Sequence, residues 1–85
     1  MANEGLTSKR LERMRANPQA DWRMEDIIAV CAEFEIACRA PRGGSSHFKV
    51  SHPAIRDILT VPSKRPIKPV YIRHLVQFID AVRTA

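Results

Sequence analysis

The three histidines are the residues of this chain best suited to proton transfer, because an imidazole ordinarily titrates near neutral pH. His47 follows the small residues 43–46 at the start of a predicted strand, and such residues let a phosphate approach backbone amides. His52 precedes Pro53 in a predicted turn, where a histidine typically bonds the local backbone. His74 lies beside the apolar stripe of a predicted helix, which favours a solvated or partner-facing position. His47 is therefore the candidate acid–base residue, against the alternative of a surface histidine at a hairpin edge.

Residues 40–73 offer few other groups that could form a catalytic site. Between residues 40 and 73 the only acid is Asp57, against seven lysines and arginines, which disfavours a magnesium site built from several carboxylates. Ser45 and Ser46 fit turn residues or phosphate donors better than nucleophiles, because no serine–histidine–acid arrangement is recognisable. We therefore predict neither a metal nor a cofactor.

The positive charge lies in the C-terminal part of the chain. Residues 1–34 carry five lysines and arginines against six acids, whereas residues 35–85 carry nine against three, within a total of +5. A one-sided positive field favours a polyanion, usually nucleic acid, because each neutralised phosphate releases counterions. The alternative is a basic surface that only keeps the protein in solution. The candidate phosphate contacts are Lys49, on the strand face of His47, and three cations of a proline-stiffened loop, Lys64, Arg65 and Lys68.

RNA is the polyanion whose cleavage needs the fewest protein groups. Its own 2′-hydroxyl is the nucleophile, so one histidine that moves a proton and a few cations that stabilise the phosphate suffice. His47 either takes the 2′-hydroxyl proton or protonates the leaving 5′-oxygen, and the residues leave both roles open. These residues are therefore compatible with a metal-independent endoribonuclease. Two alternatives are a non-catalytic RNA-binding module and a protein-interaction domain without affinity for nucleic acid.

Apolar spacing and turn signals predict three helices and three strands. Thr7 or Ser8 suits the N-cap of the first helix, Asp21 suits that of the second, and Pro69 suits the first turn of the third. The predicted elements are a helix over Lys9–Ala16, a helix through Met24–Phe34, strands over Ile36–Arg39, His47–Ser51 and Ile58–Val61, and a helix from Pro69 through Val82.

The order α-α-β-β-β-α predicts a two-layer α+β domain, in which a three-stranded antiparallel sheet carries the helices on one face. We interpret residues 1–21 as an N-terminal helical extension and residues 22–85 as the main domain. Cys31 and Cys38 lack zinc-ligand spacing and are expected to be free thiols, although a disulfide between them stays open. No stretch is apolar enough to span a membrane and no secretory signal is recognisable, so the predicted location is the cytoplasm.

The motifs around His47 match a known pattern. The segments Arg42–Pro53, Ile58–Pro62 and Ile67–Arg73 resemble the HicA toxin family, and the resemblance covers about residues 22–83. Members of that family show a helix, a Gly/Ser-His strand motif, a strand ending in Val-Pro or similar, a basic loop and a closing helix. The same order is found in this chain.

The resemblance implies an mRNA interferase that acts independently of the ribosome, with a fold like that of double-stranded-RNA-binding domains. The family's catalytic histidine corresponds to His47. By the same likeness Lys64, Arg65, Lys68 and Arg73 fall in the segment that carries phosphate-binding cations. The implied partners are mRNA, as substrate, and a neutralising antitoxin of the HicB type.

Overall fold

The structure, a computed structural model, describes residues 8–43 and 46–85. The predicted order α-α-β-β-β-α is confirmed, and the strands form one antiparallel sheet in the order β1-β2-β3. Among the described residues no helix is long and apolar enough to cross a membrane. The elements are α1 (Lys9–Ala16), α2 (Met24–Glu33), β1 (Ala37–Arg39), β2 (His47–His52), β3 (Ile55–Pro62) and α3 (Pro69–Thr84).

The sheet buries one face and leaves the other open. Val50 and Val61 are fully buried, and Phe48 packs partly buried beside them, whereas the alternate residues His47 and Lys49 are exposed. Alternation with a period of two residues places these two sets on opposite faces of the pleated sheet. The helices therefore lie over one face, as predicted, and the other face is available to a ligand.

The core joins all three helices to the covered face of the sheet. Leu11 and Met14 of α1 are fully buried with residues of α2 and α3, so the first helix packs into the domain. The proposed boundary after residue 21 stays a prediction. The largest fully buried side chains are Leu11, Met14, Ile27, Ile67, Ile72, Leu75 and Ile79.

The N-terminus of α1 is capped as the sequence predicts. The Ser8 hydroxyl accepts a 3.0 Å hydrogen bond from the Leu11 N–H, which satisfies one of the donors that a helix start leaves unpaired. The other candidate cap, Thr7, lies outside the described residues. The helix ends at Ala16, before Asn17-Pro18, because the residue before a proline avoids helical dihedral angles.

The predicted cap of α2 is wrong. Asp21 is exposed, and Arg23 is the N-cap, with the Asp26 carboxylate accepting its N–H at 3.0 Å. The cause is Trp22, which is only 7% exposed and whose Nε1–H donates to the Asn17 carbonyl at 2.8 Å. Burial of this indole keeps the chain extended through residue 23, so α2 begins two residues later than a cap at Asp21 would place it.

The end of α2 also shifts the first strand. The N–H groups of Glu35 and Ile36 bond the carbonyls of Ala32 and Cys31 at 3.3 and 2.9 Å, which is the Schellman pattern of a helix C-terminus. The predicted strand starts at Ile36, but this residue closes the helix and β1 starts at Ala37. Glu35 has a φ of 58°, a left-handed conformation that glycine usually adopts there.

The two cysteines are free thiols, which confirms the favoured interpretation. Cys31 is buried in α2, and Cys38 is half-buried on β1. A hydrogen bond with Cys38, together with burial, raises the pKa of the Cys31 thiol above its ordinary value. Cys31 therefore serves as a small apolar core residue.

The β2–β3 hairpin is longer than predicted. The third strand runs over Ile55–Pro62 rather than Ile58–Val61, and a register shift between Val50 and His52 accommodates its start. At its end Pro62 pairs with His47. Proline is tolerated at this edge-strand position because the next residue, Ser63, donates the ladder bond to the Ser46 carbonyl at 2.8 Å.

An ion pair between Arg15 and Asp80 joins α1 to α3. Both terminal nitrogens of Arg15 donate to the two carboxylate oxygens of Asp80, at 2.8 and 2.9 Å. These hydrogen bonds hold the pKa of Asp80 below its ordinary value, although partial burial opposes the shift. Since both side chains are 41% exposed, the pair is a surface contact of modest strength.

We expect Glu35→Gly to stabilise the protein by about 1 kcal/mol, because a left-handed conformation strains every residue that carries a Cβ. A gain of that size raises Tm by roughly 4–8 °C in a domain of this length. Thermal unfolding followed by circular dichroism measures it. Glu35→Ala keeps the Cβ and is the control, and an equal gain in both variants would contradict the backbone explanation.

Removal of the Asp80 charge by Asp80→Asn is expected to cost about 0.5–1 kcal/mol at pH 7. Since the folded-state pKa is lowered, this stability is present above the unfolded pKa and is lost as the pH falls below about 4, through the folded pKa. Urea unfolding of the parent protein and of Asp80→Asn, at pH 7 and in strong acid, measures the difference in their free energies of unfolding, which is expected to disappear in acid. Asp57→Asn is the control, because Asp57 is exposed and takes part in none of the described ion pairs. A difference for Asp80→Asn that does not depend on pH would show that charge is not its origin.

Candidate active site

His47 lies at the end of the sheet, on its open face. It is the first residue of β2, its side chain is exposed, and its Cα partner is Pro62, the last residue of β3. The next pair along the strands, Ser46 and Ser63, is joined by a hydrogen bond from the Ser63 N–H to the Ser46 carbonyl. Pairs alternate along an antiparallel ladder, so His47 and Pro62 form a non-hydrogen-bonded pair, with Cα atoms about 4.5 Å apart. The side chains of His47 and Pro62 therefore lie next to each other on the same face.

Three cations flank His47 on the side of β1. Lys49 follows it by two residues on the same face and pairs with Arg39 of β1. A shallow cavity of about 380 Å³, called here the β1 cavity, has His47, Lys49, Arg39 and Arg42 in its wall, together with Ala40 and Pro41. The structure thus brings the predicted histidine and the predicted Lys49 into one cavity.

Arg39 and Arg42 are residues that the sequence reasoning missed. Arg39 faces Lys49 only through the register of the β1–β2 hairpin, and Arg42 follows in the connection beyond β1. The predicted hairpin carried part of the signal: strand alternation in an antiparallel pair assigns Arg39 to the face of Lys49, but only once the register is known. Close to them, Gly43 has a φ of 61°, which helps to turn the chain towards β2.

A second cavity lies on the other side of His47, where β3 leads into the basic loop. Its volume is about 340 Å³, and we call it the loop cavity. The predicted loop cations are brought together here, with two prolines and the tyrosine of the first turn of α3. The lining residues are Pro62, Lys64, Arg65, Pro66, Lys68 and Tyr71.

The basic loop is fixed at both ends. Ser63 N–H donates to the Ser46 carbonyl at 2.8 Å, next to His47, and Ile67 N–H donates to the Trp22 carbonyl at 3.0 Å. The Ile67 side chain is 2% exposed and belongs to the core. These contacts position the exposed cations Lys64 and Arg65 between two anchored points.

Arginines of α1 and of the connection after it pair with acids, whereas the cations that line the two cavities have no acid in the described part of the same lining. Every ion pair found among residues 8–43 and 46–85 uses Arg10, Arg15 or Arg23, with acids of the helices or of the α1–α2 connection. No acid is among the described residues that line the β1 cavity or the loop cavity. Six of the nine lysines and arginines of residues 35–85 line these two cavities, three of them in the cavity that contains His47.

The remaining predicted site residues lie elsewhere or play other parts. Arg73 is exposed but lines a separate crevice with Met14 and Arg15, between α1 and α3, so it is not joined to the loop cations. Ser46 is exposed and its carbonyl accepts the Ser63 N–H, whereas Ser45 lies outside the described residues.

The other two histidines agree with the interpretations given to them. Nδ1 of His52 accepts the Ala54 N–H at 3.0 Å, which stabilises the β2–β3 turn. His74 is exposed on α3. His47 is thus the histidine that the structure places in a cavity wall with several cations.

The β1 cavity combines an imidazole, which can transfer a proton, with cations that could hold a phosphate. An imidazole can give or take a proton at neutral pH, and guanidinium and ammonium groups stabilise charge on phosphate oxygens. Among the described residues no group of three His, Cys, Asp or Glu side chains is arranged to hold a metal ion. Comparison with protein-family models, curated proteins and solved structures gave no match to this chain.

The double variant Lys64→Ala/Arg65→Ala is expected to weaken RNA binding and to flatten its dependence on salt, by roughly 0.7 in the log–log slope for each lost phosphate contact. Both side chains are exposed, so stability is expected to change by less than about 0.5 kcal/mol. Fluorescence anisotropy with a single-stranded RNA over a range of salt concentrations measures the slope.

The matched control is Lys9→Ala/Arg13→Ala, which removes one lysine and one arginine from exposed positions of α1. Both double variants lower the net charge equally. Equal slopes for them would show that general charge, and not the basic loop, attracts the RNA.

Proposed function

We propose that the protein is a metal-independent endoribonuclease in which His47 transfers a proton and the neighbouring cations hold the scissile phosphate. The observation that carries the proposal is the position of His47 on the open sheet face, in the wall of the cation-lined β1 cavity and paired with Pro62, which lines the loop cavity. A phosphate that reaches His47 lies within the positive field of Arg39, Arg42 and Lys49 on one side.

The reaction proceeds within the RNA strand. The 2′-oxygen forms a bond to phosphorus while the bond from phosphorus to the 5′-oxygen breaks. The 2′-hydroxyl loses its proton to a base, and the 5′-oxygen gains a proton from an acid. The products are a 2′,3′-cyclic phosphate and a 5′-hydroxyl. His47 performs one of the two proton transfers, and water or a second group performs the other.

The cations act on the charge that develops during this displacement. Negative charge grows on the non-bridging phosphate oxygens as the 2′-oxygen attacks, and fixed positive groups nearby lower the energy of that state. Arg39 and Arg42 are suited to this because a guanidinium presents planar paired donors to phosphate. The absence of acids from the described lining of the β1 cavity leaves this positive field uncompensated there.

The biological role follows from the resemblance to HicA toxins. On that basis we propose an mRNA interferase of a type II toxin–antitoxin system, located in the cytoplasm, with mRNA as substrate and a HicB-type antitoxin as the protein partner. The α+β order agrees with the family's fold, and similarity to double-stranded-RNA-binding domains is part of the same proposal. Arg73 is retained as a candidate phosphate contact only through this resemblance.

His47→Ala is expected to reduce RNA cleavage by about 10²- to 10⁴-fold, the usual effect of removing a general acid or base. Because His47 is exposed, its loss is expected to change stability by no more than about 0.5 kcal/mol. Cleavage of a defined RNA in the presence of EDTA, with Tm of each protein, measures both effects.

The controls are His52→Ala and His74→Ala. Both are expected to cleave like the parent protein, with a lower Tm for His52→Ala because the bond to Ala54 is lost. Cleavage by His47→Ala at the parental rate would reject the assignment. If the parent protein binds RNA but leaves it intact, the non-catalytic RNA-binding alternative holds, and cleavage that requires metal would contradict the proposed chemistry.

A further inference from the structure

The loop cavity combines two features that binding of phosphate alone does not require. Its cations, Lys64, Arg65 and Lys68, are exposed, as expected for contacts to a polyanion. The rest of its lining consists of Tyr71 and two prolines, Pro62 and Pro66. A phosphate gains nothing from an aromatic ring, whereas a ligand that joins a flat apolar group to an anion is complementary to both parts.

Tyr71 is held in a fixed position by the core. It lies in the first turn of α3, is half-buried, and packs against the buried cluster that includes Ile67 and Ile72. Ile67 in turn is bonded to the Trp22 carbonyl. A ring on such a support presents its surface to a ligand without losing much side-chain freedom on binding.

The cavity lies directly beside the proposed reaction centre. Pro62 belongs to its lining and is also the Cα partner of His47, about 4.5 Å away in a pair of this kind. The loop cavity is therefore within reach of the nucleotide next to a phosphate held at His47. The cavity volume of about 340 Å³ is in the range of sites for small organic groups.

We propose that the loop cavity is a nucleobase subsite, in which one unpaired base of the RNA stacks on Tyr71 while Lys64, Arg65 and Lys68 hold the adjoining phosphates. This inference rests on the proposed RNA-cleaving function and adds a binding requirement to it. Stacking on an aromatic side chain is the common way in which proteins hold single-stranded RNA, and it requires a base that has left its helix. The substrate is therefore single-stranded beside the cleaved bond.

Tyr71→Leu and Tyr71→Phe separate stacking from packing and from the hydroxyl group. The probe is a 2′-O-methyl oligonucleotide of about eight residues, within the usual site size for single strands, which cannot be cleaved because it has no free 2′-hydroxyl. A chain of equal length without bases is the matched ligand. We expect Tyr71→Leu to bind the base-containing probe about tenfold more weakly and the abasic chain unchanged, with Tyr71→Phe close to the parent for both.

A direct readout comes from the parent protein, because Tyr71 is the only tyrosine in the sequence. Its isotopically labelled ring signals are expected to shift on addition of the base-containing probe and to stay in place with the abasic chain. This measurement does not depend on whether Tyr71→Leu folds, which its Tm reports separately.

The outcomes distinguish this inference from the proposed function. Equal ring shifts with both probes, or an equal loss of affinity for both in Tyr71→Leu, would mean that the cavity binds phosphate alone, and the inference fails. If that happens while His47-dependent cleavage of unmodified RNA persists, the endoribonuclease stands without a base subsite. If the parent neither cleaves RNA nor binds either probe, the proposed function fails and the inference fails with it.

Discussion

The structure depends on one-sided burial of a small sheet. Helices α2 and α3 pack on the face of Val50 and Val61, and α1 packs against these two helices. Strand alternation then exposes His47 and Lys49 without any further device. The antiparallel register of β2 and β3 places the first residue of β2, His47, beside the last residue of β3, Pro62, on the same face.

The charge distribution follows this division into two layers. Four acids of the helices, Glu12, Asp26, Glu33 and Asp80, are paired with Arg10 or Arg15, whose contacts tie α1 to α2 and α3. The cations in the described linings of the two cavities have no acid beside them. The positive field of these cations is therefore not cancelled by acids in the described lining of either cavity.

Local patterns predicted the elements well, whereas contacts between distant segments decided what was missed. The bounds of α1 and the start of α3 at Pro69 follow from caps and proline chemistry, and both are confirmed. The Asp21 cap failed because burial of Trp22 is a tertiary effect. Arg39 entered the site through strand register, which no local signal fixes. Arg73 is two positions beyond Tyr71 on α3, and helix residues at that spacing point to different sides, which separates it from the loop cavity.

The hydrogen bond from the Ile67 N–H to the Trp22 carbonyl couples the position of the basic loop to that of the segment between α1 and α2. Trp22 is itself held by Asn17, at the end of α1, so the geometry of the loop cavity is continuous with the α1–α2 junction. Ligand affinity is reduced by the fraction of molecules that are not in the binding conformation. Loosening this junction would therefore lower affinity at the proposed nucleobase subsite, although the junction is not part of the lining of that subsite.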